Sequence, residues 1–90
     1  PKSADLFPVF LQNCRQNVIA IQDALDRGDF ETVEILGHGM RGAGGSYEFQ
    51  AITDIGAALE QAAESADTDA SRKWVGELSR YLDCVEIISD

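Results

Sequence analysis

Leu36-Gly37-His38-Gly39-Met40-Arg41-Gly42-Ala43-Gly44-Gly45 is the stretch on which the reading of the fold turns. It holds the one histidine of a 90-residue chain and five of its eight glycines, with an arginine three residues after the histidine. A nucleophile, a cation and bare backbone are gathered nowhere else so closely. Two readings of it lead to different folds.

In the first, the stretch is a phosphate-cradling loop. Gly37-x-Gly39-x-x-Gly42 matches the dinucleotide fingerprint, and Thr32–Leu36 before it passes for a strand. That fingerprint has meaning only in a strand–turn–helix unit with further strands beside it and an acidic ribose ligand about 20 residues on. No second strand is found after it, and 90 residues leave no room for a doubly wound sheet beside the helical patterns of the rest of the chain.

In the second, the stretch is a helix. At roughly 100° per residue, Val33, Leu36, Met40, Ala43 and Tyr47 fall on one side at steps of three and four. His38, Arg41, Gly42 and Gly45 fall on the other. The apolar row is the core face of an amphipathic helix, so His38 faces water with Arg41 and Gly42 as surface neighbours. Each glycine in a helix interior costs up to ~1 kcal/mol against alanine, about 3–5 kcal/mol for five. A surface that a partner approaches at backbone distance accounts for that cost, because glycine removes the side chains that would fence off the histidine.

The flanking sequence supplies three more helices. A first is expected from about Leu6 to Arg27, capped by Ser3 or Asp5, with Pro8 in its first turn. Phe7, Phe10 or Leu11, Cys14, Val18, Ile21 and Leu25 form its core stripe, and Gly28 suits the position after its end. Asp29 is the expected cap of the second helix, which ends near Ser46 to Glu48. The third is expected from about Phe49 to Ser65, with Ile52, Ile55, Leu59 and Ala62 on its core face. Gly56 and Glu60 make a separate pair one turn apart at the edge of that stripe. The small, acidic segment Glu64–Asp69 reads as a loop. A fourth helix, capped by Thr68 or Asp69, carries Trp74, Val75, Leu78, Leu82, Val85 and Ile88. Four amphipathic helices with short links predict an all-α, antiparallel up-and-down four-helix bundle, a single domain over residues 1–90.

Composition narrows the function classes. A formal charge of −9 argues against nucleic acid or an anionic membrane as partner. No apolar run nears the ~20 residues a bilayer span needs, and no leader pattern is read. The expected setting is the cytoplasm, with a monomeric chain. Cys14 and Cys84 are expected as free thiols, a disulfide being the alternative if the first and last helices adjoin. One histidine and this cysteine spacing give no zinc constellation, so no metal or other cofactor is expected.

The glycine-rich stretch and the residues after it also carry a resemblance. His38-x-Met40-Arg41-Gly42-x-Gly44-Gly45-x-Tyr47, then Phe49 and later Gly56-x-x-Leu59-Glu60, resembles the histidine-containing phosphotransfer (HPt) domain. That family's signature is His-x-(Leu/Ile/Met)-(Lys/Arg)-Gly-x-x-Gly, a small-residue and aromatic turn, and a helix ending in Leu-Glu. The motif match covers residues 36 to 60, and the four helices extend it to the whole chain as architecture. The chain departs from the pattern at Glu48, where the family often has glycine.

The resemblance implies that His38 takes and gives a phosphoryl group through Nε2. It implies that Arg41 neutralises part of the added charge, or else is an ordinary solvated arginine. Glu60 orients the other ring nitrogen, or is a plain surface glutamate. Gly42, Gly45 and Gly56 keep the approach open, Gly56 alternatively letting the third helix come close to the second. Imidazole suits such work because its free pKa near 6.5 leaves a neutral, nucleophilic fraction at cellular pH. No nucleotide loop, Mg²⁺ cluster or second nucleophile accompanies it, so the chain is expected to be a phosphocarrier and not an enzyme in its own right. The partner, a receiver domain of a response regulator or hybrid sensor kinase, supplies the aspartate pocket with Mg²⁺. The alternatives are a docking module that binds receivers without transferring phosphate, and a chemotaxis-type module phosphorylated by a linked kinase.

Overall fold

A computed structural model describes the backbone of residues 2–46 and 49–89, and the side chains of residues 8–45 and 49–85. Expectations on Phe7, Tyr47, Glu48 and Ile88 lie outside the described side chains. Four helices succeed one another: α1 (Lys2–Asp26), α2 (Phe30–Ser46), α3 (Gln50–Glu64) and α4 (Thr68–Ser89). Each packs on its chain neighbours and α4 closes back on α1, which is the expected up-and-down bundle.

The connections follow from short-range chemistry. Gly28 sits at φ +70°, and the Asp29 amide reaches back to the Ala24 carbonyl at 2.8 Å, ending α1 in a Schellman turn. Asp29 then caps α2 as expected: its carboxylate accepts from the Thr32 amide at 3.1 Å and the Thr32 hydroxyl at 2.6 Å. Those two bonds, the hydroxyl's first, hold the Asp29 carboxyl below its ordinary range. The α3–α4 link repeats the Schellman pattern with Ala66 at φ 52° and the Asp67 amide bonded to the Ala62 carbonyl at 2.9 Å.

The expected starts of α1 and α4 need correction. α1 begins at Lys2, so Ser3 and Asp5 stand within the helix and not at its cap position, and Pro8 lies inside the helix. The apolar periodicity starts only at Leu6, whereas the preceding polar residues are helix-compatible without leaving a stripe to read. α4 begins at Thr68 because Asp67, not Thr68 or Asp69, is its cap; the Asp67 carboxylate accepts from the Ala70 amide at 3.0 Å. α3 opens after Phe49 without a side-chain cap, and the Phe49 ring stacks on Phe10 of α1 at 5.4 Å.

The core is the union of the four expected stripes. Cys14, Ile21, Val33, Met40, Ile52, Leu59, Leu78 and Leu82 are all at most 2% exposed. Leu36, Ala43, Trp74 and Val85 are half-buried against them. At ~25 cal/mol per Å² of apolar surface this burial, not helix propensity, holds α2 helical. Arg15–Asp83 at 2.9 Å and Arg72–Asp26 at 3.0 Å join α1 to α4 across the surface. These helices adjoin, yet Cys14 is buried and Cys84 exposed, and both thiols are free. No helix among the described residues is long and apolar enough to cross a membrane.

Candidate functional site

α2 and α3 meet at backbone distance, and the site is built on that approach. A Cβ at Gly37 would lie 2.8 Å from both the Gly56 carbonyl oxygen and the Glu60 nitrogen. One at Gly56 would lie 2.6 Å from the Arg41 nitrogen and 2.7 Å from the Gly37 oxygen, and one at Gly44 2.6 Å from Thr53. Only glycine fits at these three places. The Thr53 hydroxyl also donates to the Arg41 carbonyl at 3.3 Å, tying the two helices together one turn beyond the histidine.

Gly56 therefore does not belong to an open access surface. It is buried against α2, which corrects that assignment and leaves the other expectation for it, close helix approach. Gly42 and Gly45 are exposed, and a methyl group at either would meet nothing within 4 Å. Gly39 is open in the same way. The glycines of α2 thus divide by direction: two pack on α3, Gly42 and Gly45 leave the outer face low, and Gly39 is open on the flank toward α1. Ile35, one turn before His38, is 62% exposed on that outer face.

His38 points outward with its side chain 64% exposed, and the close approach of α3 brings Glu60 to it. Glu60 Oε2 lies 3.0 Å from His38 Nδ1, and Glu60 Oε1 accepts from Arg41 Nη1 at 3.1 Å. The Glu60 side chain is only 18% exposed, so its two oxygens are held by one partner each. Arg41 Nη2 also stands 3.3 Å from Nδ1. A carboxylate can only accept, so the shorter contact assigns Nδ1 as the donor. The guanidinium, which can only donate, then has its bond to Glu60 and none to the ring. With the proton on Nδ1, Nε2 carries the free lone pair of the neutral imidazole.

His38, Arg41 and Gly42 share the exposed face of α2 as the helical periodicity predicts, and Glu60 stands beside His38 as the resemblance implies. Arg41 has an engagement the sequence did not disclose: it anchors Glu60. Gly37, Gly44 and Thr53 escaped sequence reasoning, although Gly37 and Gly44 are seven residues apart, on the Val33–Met40 side of the helix. That spacing was the available signal. Among the described residues no three His, Cys, Asp or Glu side chains are grouped so as to hold a metal ion.

Comparison with known proteins adds one match. The family model described as Hpt domain matches residues 5–86. Neither a curated protein nor a solved structure matches the chain.

Proposed function

The chain belongs to the Hpt domain family, and on that footing we propose that it is a phosphorelay intermediate with His38 as its phosphoryl carrier. Hpt domains serve phosphotransfer in two-component signalling. The finer reading is that His38 accepts the group from a receiver aspartate, or from a histidine kinase module, and passes it to the receiver aspartate of a response regulator. The observation that supports it most is the ring's setting: Nδ1 is engaged by Glu60 and the exposed face around Nε2 is bounded by glycine.

The chemistry asks little of the chain. The Nε2 lone pair attacks phosphorus, the P–O bond to the receiver aspartate breaks, and the carboxylate leaves with the electron pair. Donation is the reverse. Phosphoryl transfer is chiefly positioning and charge stabilisation, and the partner's aspartate pocket brings the divalent cation. Arg41 is the counter-charge for the added phosphoryl group, within reach from the same face, through charge-assisted bonds. To serve, its guanidinium turns from Glu60 or shares its five donors between both anions. Gly42 and Gly45 admit the receiver to bonding distance of Nε2. The reading places the chain in the cytoplasm as a monomer.

The test is incubation with a phosphorylated receiver domain, followed by assay for acid-labile, base-stable phosphate on the chain. Label on wild type and none on His38→Gln is the expected result. Label retained by His38→Gln refutes the assignment. Receiver binding without label on either protein would instead identify a docking module that has lost transfer.

A further inference from the structure

We propose that Glu60 keeps a proton on Nδ1 after His38 is phosphorylated on Nε2, and so sets the phosphorylated chain as a ready donor and not a store. The inference rests on the phosphocarrier reading and adds to it a direction of bias.

A ring phosphorylated on Nε2 has one nitrogen left to titrate. With a proton on Nδ1, the P–Nε2 bond breaks, its electron pair returns to Nε2, and neutral imidazole leaves. With Nδ1 bare, the same cleavage must expel an imidazolide anion, a far poorer leaving group. Proton occupancy at Nδ1 therefore governs how readily the group departs. Transfer to a receiver forms the carboxylate O–P bond while the Nδ1 proton stays in place. Hydrolysis of the same Nδ1-protonated form, an imidazolium bearing a phosphoryl dianion, consumes one water and yields neutral imidazole and dihydrogen phosphate.

The structure fixes an anion at that nitrogen. Glu60 Oε2 is 3.0 Å from Nδ1, and in the unphosphorylated chain Arg41 Nη1 also holds Oε1 at 3.1 Å. The backbone approach at Gly37 and Gly56 fixes the stretch of α3 that carries it. A hydrogen-bonded anion favours the protonated form of its partner. The other charges facing the ring are few. Arg41 on α2 opposes the effect from 3.3 Å, and Glu34 stands one turn before His38. On α3, Glu64 lines one recess with Arg41 and Glu60. From α1 the side chains turned toward Gly39 and Met40 include the uncharged amides of Asn13 and Asn17. Among the described residues α4 does not pack on α2. The nearest charge is an anion, and it makes the shorter contact.

Glu60 is thus a positioning residue acting through the ring, and a pH profile reads it. Wild type, Glu60→Gln and Glu60→Ala are phosphorylated with phosphoramidate, a small donor that needs no receiver. The decay of the phosphohistidine signal is then tracked by ³¹P NMR from about pH 5 to about pH 9. Both variants should show the lifetime profile moved to lower pH. Near neutrality the lifetime should lengthen roughly two- to fivefold, the range set by a partly exposed charge contact. Profiles superposed on wild type, or moved to higher pH, overturn the inference while the carrier reading stands. Absence of label on His38 in all three proteins overturns both.

Discussion

Gly56→Ala tests the packing that builds the site. The added methyl would stand 2.6 Å from the Arg41 nitrogen, 2.7 Å from the Gly37 oxygen and 3.1 Å from the Arg41 Cα, all of them backbone atoms that no rotamer change can move. Restoring ordinary contact at ~3.5 Å requires α2 and α3 to part by about 1 Å. Overpacking of this kind costs about 1–3 kcal/mol, offset by up to ~1 kcal/mol because alanine is the better helix former. The net loss should be roughly 1–2 kcal/mol, or about 5–15 °C in melting temperature for a domain of this size. Thermal unfolding monitored by circular dichroism measures it. The same separation should draw Glu60 away from His38, visible as a change in the ring ¹⁵N shifts. A melting temperature equal to or above that of wild type would refute the claim that α2 and α3 meet at backbone distance.

Gly42→Ala should hold or raise stability by up to ~1 kcal/mol, since the methyl enters open space; Gly42→Gln should also fold, yet lose transfer because its side chain stands beside Nε2. A fall in the melting temperature of both variants would mean that this face is packed. Ala66→Gly should stabilise by about 0.5 kcal/mol, the relief of a left-handed alanine at φ 52° exceeding the entropy glycine adds to the unfolded chain; a lower melting temperature would count against the α3–α4 turn. Asp29→Ala should lower stability at neutral pH. Because the folded carboxyl titrates below its ordinary 3.8, that loss should shrink as the pH falls past 3.8 and through the folded value; a gap that persists in acid would exclude the carboxylate cap. Cys84 should react with a thiol reagent in the native protein while Cys14 waits for unfolding, since burial pushes the Cys14 thiol up to about 11. Equal labelling rates would contradict the burial of Cys14.

The fold was legible because its largest free-energy term is written as periodicity. The stripes through Val18 and Ile21, Val33 and Met40, Ile55 and Leu59, and Leu78 and Leu82 are what the core buries. The outward turn of His38 comes from the same wheel. Caps were legible where the residue chemistry is unambiguous, as at Gly28 and Asp29. They were misjudged where several acceptors sit in a row, since Asp67, Thr68 and Asp69 differ only by which one the chain aims at the Ala70 amide. The start of α1 was missed because polar helix residues leave no stripe. Glu60 required a resemblance to be singled out: nothing in one helix says which side chain of the next will meet it. Gly56 was ambiguous for a related reason, as a missing side chain records closeness without saying to what.

Local preference and global structure disagree most strongly in α2, and the disagreement is informative. Five glycines within ten residues argue against a helix, and a chain free of other demands would not combine them. Two of the five are explained by α3, whose backbone fills the place their side chains would take. That packing is also what carries Glu60 to Nδ1 and lets Arg41 hold it there. The remaining three contact no neighbouring element within 4 Å of where a Cβ would sit, so the fold gives no reason for their being glycine. Their intrinsic cost, up to ~1 kcal/mol each, has to be offset elsewhere in the bundle and answered by something outside it. Gly42 and Gly45 lie on the face that His38 presents to solvent, while Gly39 lies on the flank toward α1. On the proposed phosphocarrier reading, what fits that face is a partner whose own backbone and acidic pocket come within bonding distance of Nε2. On that reading the inner glycines bring Glu60 to the ring, and the outer glycines leave room for what must reach it.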